Sequence, residues 1–219
     1  EADWRLDDLR LFPECSEIVL HHDGSRLAYR LGVAGEHVAM NSLGVLAVAD
    51  ALGADVVHAA RSLADLRPPA GRGQRRRLAI AGGDALLIDE SYNANPASMR
   101  AALAVLGQAP GRRLAVLGDM LELGEQARPL HAALAQSVES ARVDLVFTCG
   151  PNMARLHDAL PASRRGAHAT DSAALAPAVV EALRPGDVLL VKGSLGSRMA
   201  HIVEALTEGF APSDSRAVQ

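Results

Sequence analysis

From residue 78 onward, short apolar runs alternate with stretches of helical periodicity, and this alternation narrows the fold to one broad class. The pattern predicts strands at about 78–81, 85–89, 113–118, 143–149 and 187–191, and helices at 96–107, 125–141, 152–159, 171–184 and 198–208. Short apolar strands separated by helices are typical of a mostly parallel sheet. Only 3% of residues are aromatic, so the core must be built from Ala, Val and Leu. The sequence therefore predicts an α/β fold.

The N-terminal part follows a different pattern. Residues 17–33 alternate apolar and polar around Asp23-Gly24, which predicts a β-hairpin. A helical pattern then covers Val38 to Leu52, and Asp55 can cap a second helix that runs through Leu66. This part is predicted to consist of a hairpin and a pair of helices.

The segment 67–73 (Arg-Pro-Pro-Ala-Gly-Arg-Gly) breaks every periodicity and separates the two patterns. We place a domain boundary there, with one domain at 1–72 and a second at 73–219. The last ten residues have no periodic pattern and are predicted to be a loose tail.

Composition excludes several classes of protein. The net charge of -4 gives no electrostatic reason to expect nucleic acid, and the basic run Arg75–Arg77 is interpreted as a solvated hairpin edge. Cys15 and Cys149 lie far apart, which indicates no disulfide framework and favours a reducing compartment. No signal peptide or membrane span is recognisable, so we predict a cytoplasmic protein. The first residue is Glu1 and not Met, which suggests a cut or processed product.

The run Leu86–Arg100 carries the clearest functional signal. Its apolar part ends in two carboxylates, Asp89 and Glu90, as expected where a parallel strand leaves a sheet. Asn95 and Pro96 then suit the N-cap and first position of a helix. Ligands bind at such strand ends. The polar turn between strand and helix, with Tyr92 and Asn93, is therefore a candidate ligand site, and an ordinary strand-to-helix loop is the alternative.

Lys192 is the only lysine in the chain, and it stands between an apolar strand and the loop Gly193–Arg198. Glycines in that loop allow backbone N–H groups to approach a ligand, and Ser194 and Ser197 add donors, so the placement favours an anionic ligand. The order of residues does not match the G-x-x-x-x-G-K-[ST] pattern of a P-loop. A surface lysine in a glycine-rich turn is the alternative.

Another strand end is followed by the carboxylates Asp119, Glu122 and Glu125. This loop could hold an ammonium group. A Mg²⁺ site is less favoured, because such sites usually include substrate phosphates and this loop supplies no phosphate-binding backbone. We predict no metal site from the residues of this chain alone.

His37 and Asn41 are separated by one helical turn and share one helix face, where they could contact a nucleotide base or phosphate. Taken in isolation, a structural role is favoured over ligand binding for this pair, and the same holds for Arg72.

The stretch Asp89–Met99 resembles the ATP-dependent Mur ligases of peptidoglycan synthesis, and the string Ser91–Pro96 is similar to that of members that add D-alanyl-D-alanine. Four other landmarks resemble the family and fall in the same order: Gly35-Glu36-His37 with Asn41, Pro69–Arg72, Leu117–Gly124 and Val191–Ser194. Together these motifs cover nearly the whole chain.

The resemblance implies a domain organisation and a set of ligand contacts. Residues 1–72 would be the end of a central ATP-binding domain, and residues 73–219 a Rossmann-like C-terminal domain that closes over it. The implied nucleotide-binding residues are His37 and Asn41 at the adenine, Arg72 at phosphate and ribose, Glu90 or Asp89 at the ribose hydroxyls, and Tyr92, Asn93 and Asn95 in the domain cleft. The implied substrate-binding residues, facing the incoming dipeptide, are Asp119, Glu122, Lys192 and Ser194.

The family reaction uses ATP and Mg²⁺ to phosphorylate the carboxylate of UDP-N-acetylmuramoyl-tripeptide, and the amine of D-alanyl-D-alanine attacks the acyl phosphate. The sequence has no P-loop, no upstream Mg²⁺ carboxylate, no modified lysine and no domain for the UDP-sugar. We therefore predict that no catalytic set is complete in this chain, that the missing N-terminal and central domains are its partners, and that it cannot catalyse the ligation alone.

Two alternatives stay open at this stage. A related amide ligase could act on a different amine or polymer, although the string Tyr92–Asn95 argues against it. A non-catalytic nucleotide-binding or partner module is a different class of protein, and the missing P-loop favours it.

Overall fold

The computed structural model describes residues 3–12 and 15–210. The chain divides into two compact units, Glu1–Pro68 and Pro69–Gln219. The division falls within the predicted boundary segment. The assignment of the first part to the end of a central ATP-binding domain stays a prediction, and nearly all of the predicted tail, residues 211–219, lies outside the described residues.

The first unit contains an antiparallel sheet with strand order β1-β2-β3. Its strands are β1 (Trp4–Leu11), β2 (Ser16–His22) and β3 (Ser25–Leu31). The predicted hairpin of β2 and β3 is confirmed, and its turn residues Asp23 and Gly24 have φ of 47° and 72°. Positive φ at both positions gives the turn a twist that matches that of the flanking strands. Strand β1 was not predicted.

Two helices cover this sheet, α1 (Glu36–Ala51) and α2 (Val56–Ser62). The predicted cap of α2 is confirmed, because Asp55 Oδ1 accepts the N–H of His58 at 3.0 Å. The second helix ends earlier than predicted, since Leu63–Asp65 tighten into a 3-10 turn. In the core, the Tyr29 hydroxyl lies 2.7 Å from Ser42 Oγ, which itself donates to the carbonyl of Ala39 at 2.7 Å.

The second unit is built on a six-stranded sheet with strand order β4-β5-β9-β6-β7-β8. Its strands are β4 (Gln74–Ile80), β5 (Gly83–Glu90), β6 (Arg113–Gly118), β7 (Leu145–Cys149), β8 (Arg165–Ala169) and β9 (Val188–Lys192). Only β4 is antiparallel to its neighbour; the other pairs are parallel. The predicted α/β fold with a mostly parallel sheet is confirmed.

Helices lie on both faces of this sheet. They are α3 (Pro96–Gly107), α4 (Ala127–Ser140), α5 (Ala154–Ala159), α6 (Ser172–Ala182) and α7 (Ala200–Gly209). Buried side chains of α3, α4 and α5 form one apolar cluster with the sheet, whereas those of α6 and α7 form a second. The described helices include none that is long and apolar enough to cross a membrane.

The structure corrects two of the predicted strands of this unit. Strand β4 begins at Gln74 and not near residue 78, so Arg75–Arg77 belong to an edge strand. Strand β7 begins at Leu145, because the loop before it includes Asp144, whose carboxylate accepts the N–H of Arg113. Strand β8 was not predicted, and Pro177 lies inside α6 without ending it.

The topology brings the predicted functional segments to one edge of the sheet. Strands β5, β6, β7, β8 and β9 are parallel, so their carboxyl ends meet there. In the register of the central strands, Lys192 pairs with Glu90 on one side and with Leu117 on the other. Antiparallel β4 starts at the same edge, where Gln74 pairs with Asp89.

Candidate functional site

Asp89, the first of the two carboxylates at the end of β5, is buried and hydrogen-bonded within the protein. Its Oδ1 accepts the hydroxyl of Ser91 at 2.6 Å and the N–H of Ser91 at 3.1 Å. Its Oδ2 lies 3.9 Å from the guanidinium of Arg76. With these partners, Asp89 stabilises the start of the turn and is 2% exposed.

Glu90 is the accessible carboxylate of the pair. Its side chain is 33% exposed, and Oε2 lies 3.3 Å from Nζ of Lys192. Gly73 lies beside Oε1, since a Cβ built on Gly73 would be 3.4 Å from that oxygen. The resemblance leaves open which of the two carboxylates holds the ribose. In the structure, Asp89 is hydrogen-bonded within the protein, whereas Glu90 keeps an open side.

Arg72, which precedes Gly73, stacks on Tyr92, which follows Glu90 by two positions. The guanidinium carbon lies 4.2 Å from the ring centroid, within the range of a cation–π interaction. Gly71 holds the segment before β4 against the turn after β5, because its carbonyl accepts the N–H of Tyr92 at 3.1 Å. A Cβ at Gly71 would lie 2.8 Å from that nitrogen, and its φ is 72°, so only glycine fits without strain.

The two asparagines of the turn hold the backbone. Asn93 Oδ1 accepts the N–H of Ala94 at 2.8 Å. Asn95 caps α3 as predicted: its Oδ1 accepts the N–H of Ser98 at 2.8 Å, and the hydroxyl of Ser98 accepts the N–H of Asn95 at 3.0 Å. This capping box sets the direction in which the chain leaves the turn.

Asp119, at the end of β6, is buried and ties its loop to the loop that follows β7. Oδ1 accepts the N–H of Met153 at 2.7 Å, and Oδ2 accepts both the backbone and side-chain N–H groups of Asn152 at 3.2 and 3.0 Å. Gly150 makes room for the carboxylate, because a Cβ there would lie 2.6 Å from it. Glu122 is exposed, with φ of 62°.

His131 lies close to Asp119, but the two do not form an ion pair. Its Nε2 accepts the N–H of Met120 at 2.9 Å, and a backbone N–H can only donate. Its Nδ1 then donates to the carbonyl of Ala127 at 2.6 Å. This pattern requires the neutral ring, so the 3.9 Å separation from Asp119 is a packing contact.

The last residue of β9, Lys192, and the loop that follows it connect to both of the other loops. Lys192 is buried, and Nζ donates to the carbonyl of Asn93 at 2.9 Å in addition to its contact with Glu90. Ser194 Oγ donates to the carbonyl of Ala94 at 3.2 Å and accepts the N–H of Leu121 at 2.9 Å. Direct binding of substrate by Lys192 and Ser194 stays a prediction; in the structure both side chains are directed to neighbouring loops.

An open pocket of about 650 Å³ adjoins these loops. It is lined by Asp119, Leu121, Cys149, Gly150, Pro151, Asn152, Thr170, Asp171, Ser172, Ala173, Gly196, Ser197, Arg198 and His201. Burial raises the pKa of the Cys149 thiol to about 12, so it is not a thiolate nucleophile at neutral pH. The N–H of Ala174 lowers the pKa of the Asp171 carboxyl by hydrogen bonding to the charged form.

Sequence reasoning missed most of this pocket. Gly150 and Asn152 follow β7, and Asp171 follows β8, so their positions after strand ends were the available signal. Asn41 is exposed on α1, while the side chain of His37 lies outside what the structure describes. Within the described residues, no group of three or more His, Cys, Asp and Glu side chains is arranged to hold a metal ion.

Comparisons with known proteins agree in pointing to one family. A family model described as Mur ligase, glutamate ligase domain, matches residues 71–195. The UDP-N-acetylmuramoyl-tripeptide–D-alanyl-D-alanine ligase of Escherichia coli (strain K12) is 32% identical over 209 residues, which are 94% of this chain and 45% of that protein. The ligase of the same name from Mycobacterium tuberculosis (strain ATCC 25618 / H37Rv) is 35% identical over 210 residues, with coverage of 85% and 41%.

A solved structure agrees with these relatives. Crystal structure II of MurF from Acinetobacter baumannii has a TM-score of 0.81 at 28% identity, and the match covers 94% of this chain and 46% of that chain. The chain thus spans less than half the length of the curated relatives reported above. The family match covers more than half of this chain and contains the Arg72–Tyr92 stack with the loops after β5, β6 and β7. The chain belongs to the Mur ligase family.

Proposed function

We propose that this chain is the C-terminal part of an ATP-dependent ligase that adds D-alanyl-D-alanine to UDP-N-acetylmuramoyl-tripeptide. The proposal takes this activity from the names of the E. coli and M. tuberculosis relatives. It is a proposal about the whole ligase, because the chain corresponds to 45% of the E. coli protein. The string Tyr92–Asn95, which resembles that of the D-alanyl-D-alanine-adding members, supports this choice of amine.

The observation that carries the proposal is the accessible Glu90, to which the Arg72–Tyr92 stack is linked through Gly73, the neighbour of Arg72 that lies beside Glu90 Oε1. A carboxylate can accept two hydrogen bonds from ribose hydroxyls, and an arginine can bind a phosphate or stack on a base. Gly73 leaves space next to Glu90 Oε1. These residues fit an adenine nucleotide, and in the proposal Glu90 holds its ribose while Arg72 contacts phosphate and ribose. His37 and Asn41 remain predicted adenine contacts.

The open pocket next to Asp119 is proposed to receive the dipeptide. D-alanyl-D-alanine carries an ammonium and a carboxylate, and the pocket lining offers the exposed groups Asp171 and Arg198, which have opposite charges. Asp119 is hydrogen-bonded to the loop after β7 and shapes the pocket wall. The predicted contacts of Glu122 and Ser194 with the dipeptide belong to the same proposal, whereas buried Lys192 is directed to Glu90 and is assigned no dipeptide contact.

ATP would supply the phosphoryl group that converts the tripeptide carboxylate into an acyl phosphate, which the dipeptide amine then attacks. The described residues contain no group of three or more His, Cys, Asp and Glu side chains arranged to hold a metal ion, so no step is assigned to a metal here. In the proposal, the metal ligands and the phosphate-binding loop belong to the part of the ligase that this chain does not match. The chain alone is therefore expected to be inactive.

The test is ATP-dependent phosphate release with both substrates present. The chain would be assayed alone and together with a separately expressed polypeptide that corresponds to the preceding part of the relatives. Activity only in the mixture supports the proposal. Turnover by the chain alone contradicts the predicted inactivity, whereas nucleotide binding without activity in either sample favours a non-catalytic module. Replacing D-alanyl-D-alanine with D-alanine, L-alanine or D-glutamate tests the choice of amine.

A further inference from the structure

We propose that Lys192 is a positioning residue of the nucleotide site: its ammonium fixes the Glu90 carboxylate for binding of the ribose hydroxyls and does not itself contact substrate. The inference rests on the proposed nucleotide-binding function of Glu90. It assigns the only lysine of the chain to a role inside the site, where the sequence pattern alone favoured direct contact with an anionic ligand.

The geometry places one ammonium between two parts of the turn. Strands β5 and β9 are parallel neighbours, and Glu90 and Lys192 are partners in their register, so both side chains lie on the same face of the sheet. Nζ is 3.3 Å from Glu90 Oε2 and 2.9 Å from the carbonyl oxygen of Asn93. A single charge therefore holds the carboxylate and the backbone of the turn in one arrangement.

The exposure of the two side chains also argues for positioning. The side chain of Lys192 is 3% exposed, whereas that of Glu90 is 33% exposed. An ammonium this deeply buried cannot reach a ligand without leaving its partners. The carboxylate can reach a ligand through its open side, so it is the member of the pair that is suited to binding.

Stability alone gives a weak reason for a lysine at this position. The rest of β9, Val188–Val191, is buried and apolar. Replacing a buried ion pair with apolar residues of similar volume is often neutral or stabilising, because burial of charge is costly. What the charge adds is a fixed direction for Glu90, whose flexible side chain would otherwise populate several rotamers. An ordered acceptor binds a ligand more tightly because less entropy is lost on binding.

The test compares binding of ADP with binding of 2′,3′-dideoxy-ADP, which lacks the ribose hydroxyls. Affinities for the unmodified chain, Lys192→Met and Arg112→Met would be measured by NMR titration. Arg112→Met is the matched control, because Arg112 is paired with buried Asp187 at 3.3 Å at the opposite edge of the same sheet. Both variants remove the cationic partner of a carboxylate, but only one of them touches the turn.

The unmodified chain and Arg112→Met are expected to prefer ADP by about 10- to 100-fold, as for hydrogen bonds to a charged acceptor. In Lys192→Met, the preference is expected to fall to within about threefold, mainly through weaker ADP binding. The double variant Glu90→Gln/Lys192→Met is expected to lose no more preference than either single change. A full preference for ADP in Lys192→Met would overturn the inference.

A second readout does not depend on the nucleotide. Amide hydrogen exchange at residues 92–95 is expected to accelerate in Lys192→Met relative to Arg112→Met, and unchanged exchange would also overturn the inference. If the unmodified chain binds both nucleotides equally, the role of Glu90 fails, and the positioning role of Lys192 fails with it. If the chain binds neither nucleotide while exchange accelerates, the proposed nucleotide site fails and Lys192 only orders the turn, which overturns its role in nucleotide binding.

Discussion

Asp89 and Glu90 are adjacent in the chain, but their carboxylates project from opposite faces of the sheet and have different partners. Asp89 accepts two hydrogen bonds from Ser91, whereas Glu90 lies next to Lys192 and keeps an open side. The alternation of side chains along a strand separates the two carboxylates. Asp89 therefore stabilises the turn, whereas Glu90, paired with Lys192, is the carboxylate that stays partly exposed.

The variant Asp89→Asn tests the structural half of this division. An amide can present its NH₂ group to the Ser91 donors, so we expect the free energy of unfolding to fall by about 1–3 kcal/mol. Asp84→Asn at the other end of β5 is the control, because Asp84 is exposed and 4.0 Å from Arg77. Urea denaturation of both variants gives the comparison. Equal stability of the two would contradict the role assigned to Asp89.

Gly150 and Gly124 form a matched pair for testing the loop after β7. Both have positive φ, 103° and 54°, but a Cβ at Gly150 would lie 2.6 Å from the Asp119 carboxylate, whereas a Cβ at Gly124 would meet no described atom within 4 Å other than those of its own turn. We expect Gly124→Ala to cost about 1 kcal/mol for backbone strain alone. Gly150→Ala is expected to cost about 1–3 kcal/mol more in thermal or urea unfolding, from crowding of a packed site.

The control for this effect is Gly150→Ala combined with Asp119→Ala. If contact with the carboxylate causes the extra loss, the two changes together should cost less than the sum of their separate effects. Additive losses would show that the strain at Gly150 has a different origin.

In the first unit, the hydrogen bond between Tyr29 and Ser42 predicts an asymmetry. Ser42 donates to Ala39, so the Tyr29 hydroxyl is the donor to Ser42. Ser42→Ala leaves a buried donor unpaired and is expected to cost about 1–3 kcal/mol. Tyr29→Phe removes that donor and is expected to cost about 1 kcal/mol. Hydrogen exchange in β2 and β3 reports on this unit, and a larger loss for Tyr29→Phe would contradict the assigned direction.

His157 is expected to make stability depend on pH in the mildly acidic range. Its Nδ1 is buried without a hydrogen-bond partner in the described part of the chain. Burial lowers the pKa of His157, and neighbouring His168 and Arg165 lower it further. The unfolded chain therefore binds more protons than the folded protein as the pH falls through the ordinary histidine value of about 6.5, and stability decreases in that direction.

Urea denaturation at pH 7.5 and 5.5 measures this effect. His157→Gln is expected to lose less stability between the two pH values than the unmodified chain. His58→Gln, at an exposed position on α2, is the control and is expected to keep the original dependence. An unchanged dependence in His157→Gln would assign the effect to other groups.

Several elements could be predicted from sequence because their signals are local. The hairpin turn at Asp23-Gly24 and the caps at Asp55 and Asn95 each depend on residues within a few positions of one another. The apolar run of β6 is bounded on both sides by residues that end a strand, and its limits match the prediction.

Strands β1 and β8 lack such signals. In β1, the alternation is interrupted where the register shifts between Leu6 and Asp8. Strand β8 has a single neighbour, β7, and exposes Arg165 and His168, so it contains no apolar run. Strand β1 is stabilised by pairing with β2, and β8 by pairing with β7. A single sequence does not show such pairing.

The strand ends that carry the candidate site residues could be located from sequence, but the partners of their side chains could not. Asp119 follows β6 as predicted, whereas Lys192, which was predicted to follow a strand, is the last residue of β9. The contacts of Lys192 lie 99 and 102 residues away, and those of the Asp119 side chain lie 33 and 34 residues away. These contacts depend on β9 lying between β5 and β6. Local patterns give the strands, whereas their order decides which side chains meet.

The single, buried lysine also gives this protein a built-in chemical reporter. Acylating reagents that attack neutral amines are expected to modify Lys192 only when the end of β9 opens or the protein unfolds. Because no other ε-amino group competes, peptide mapping after timed acylation measures how often this edge of the sheet opens. If a bound nucleotide protects that one amine from acylation, the extent of modification measures the occupancy of the proposed nucleotide site.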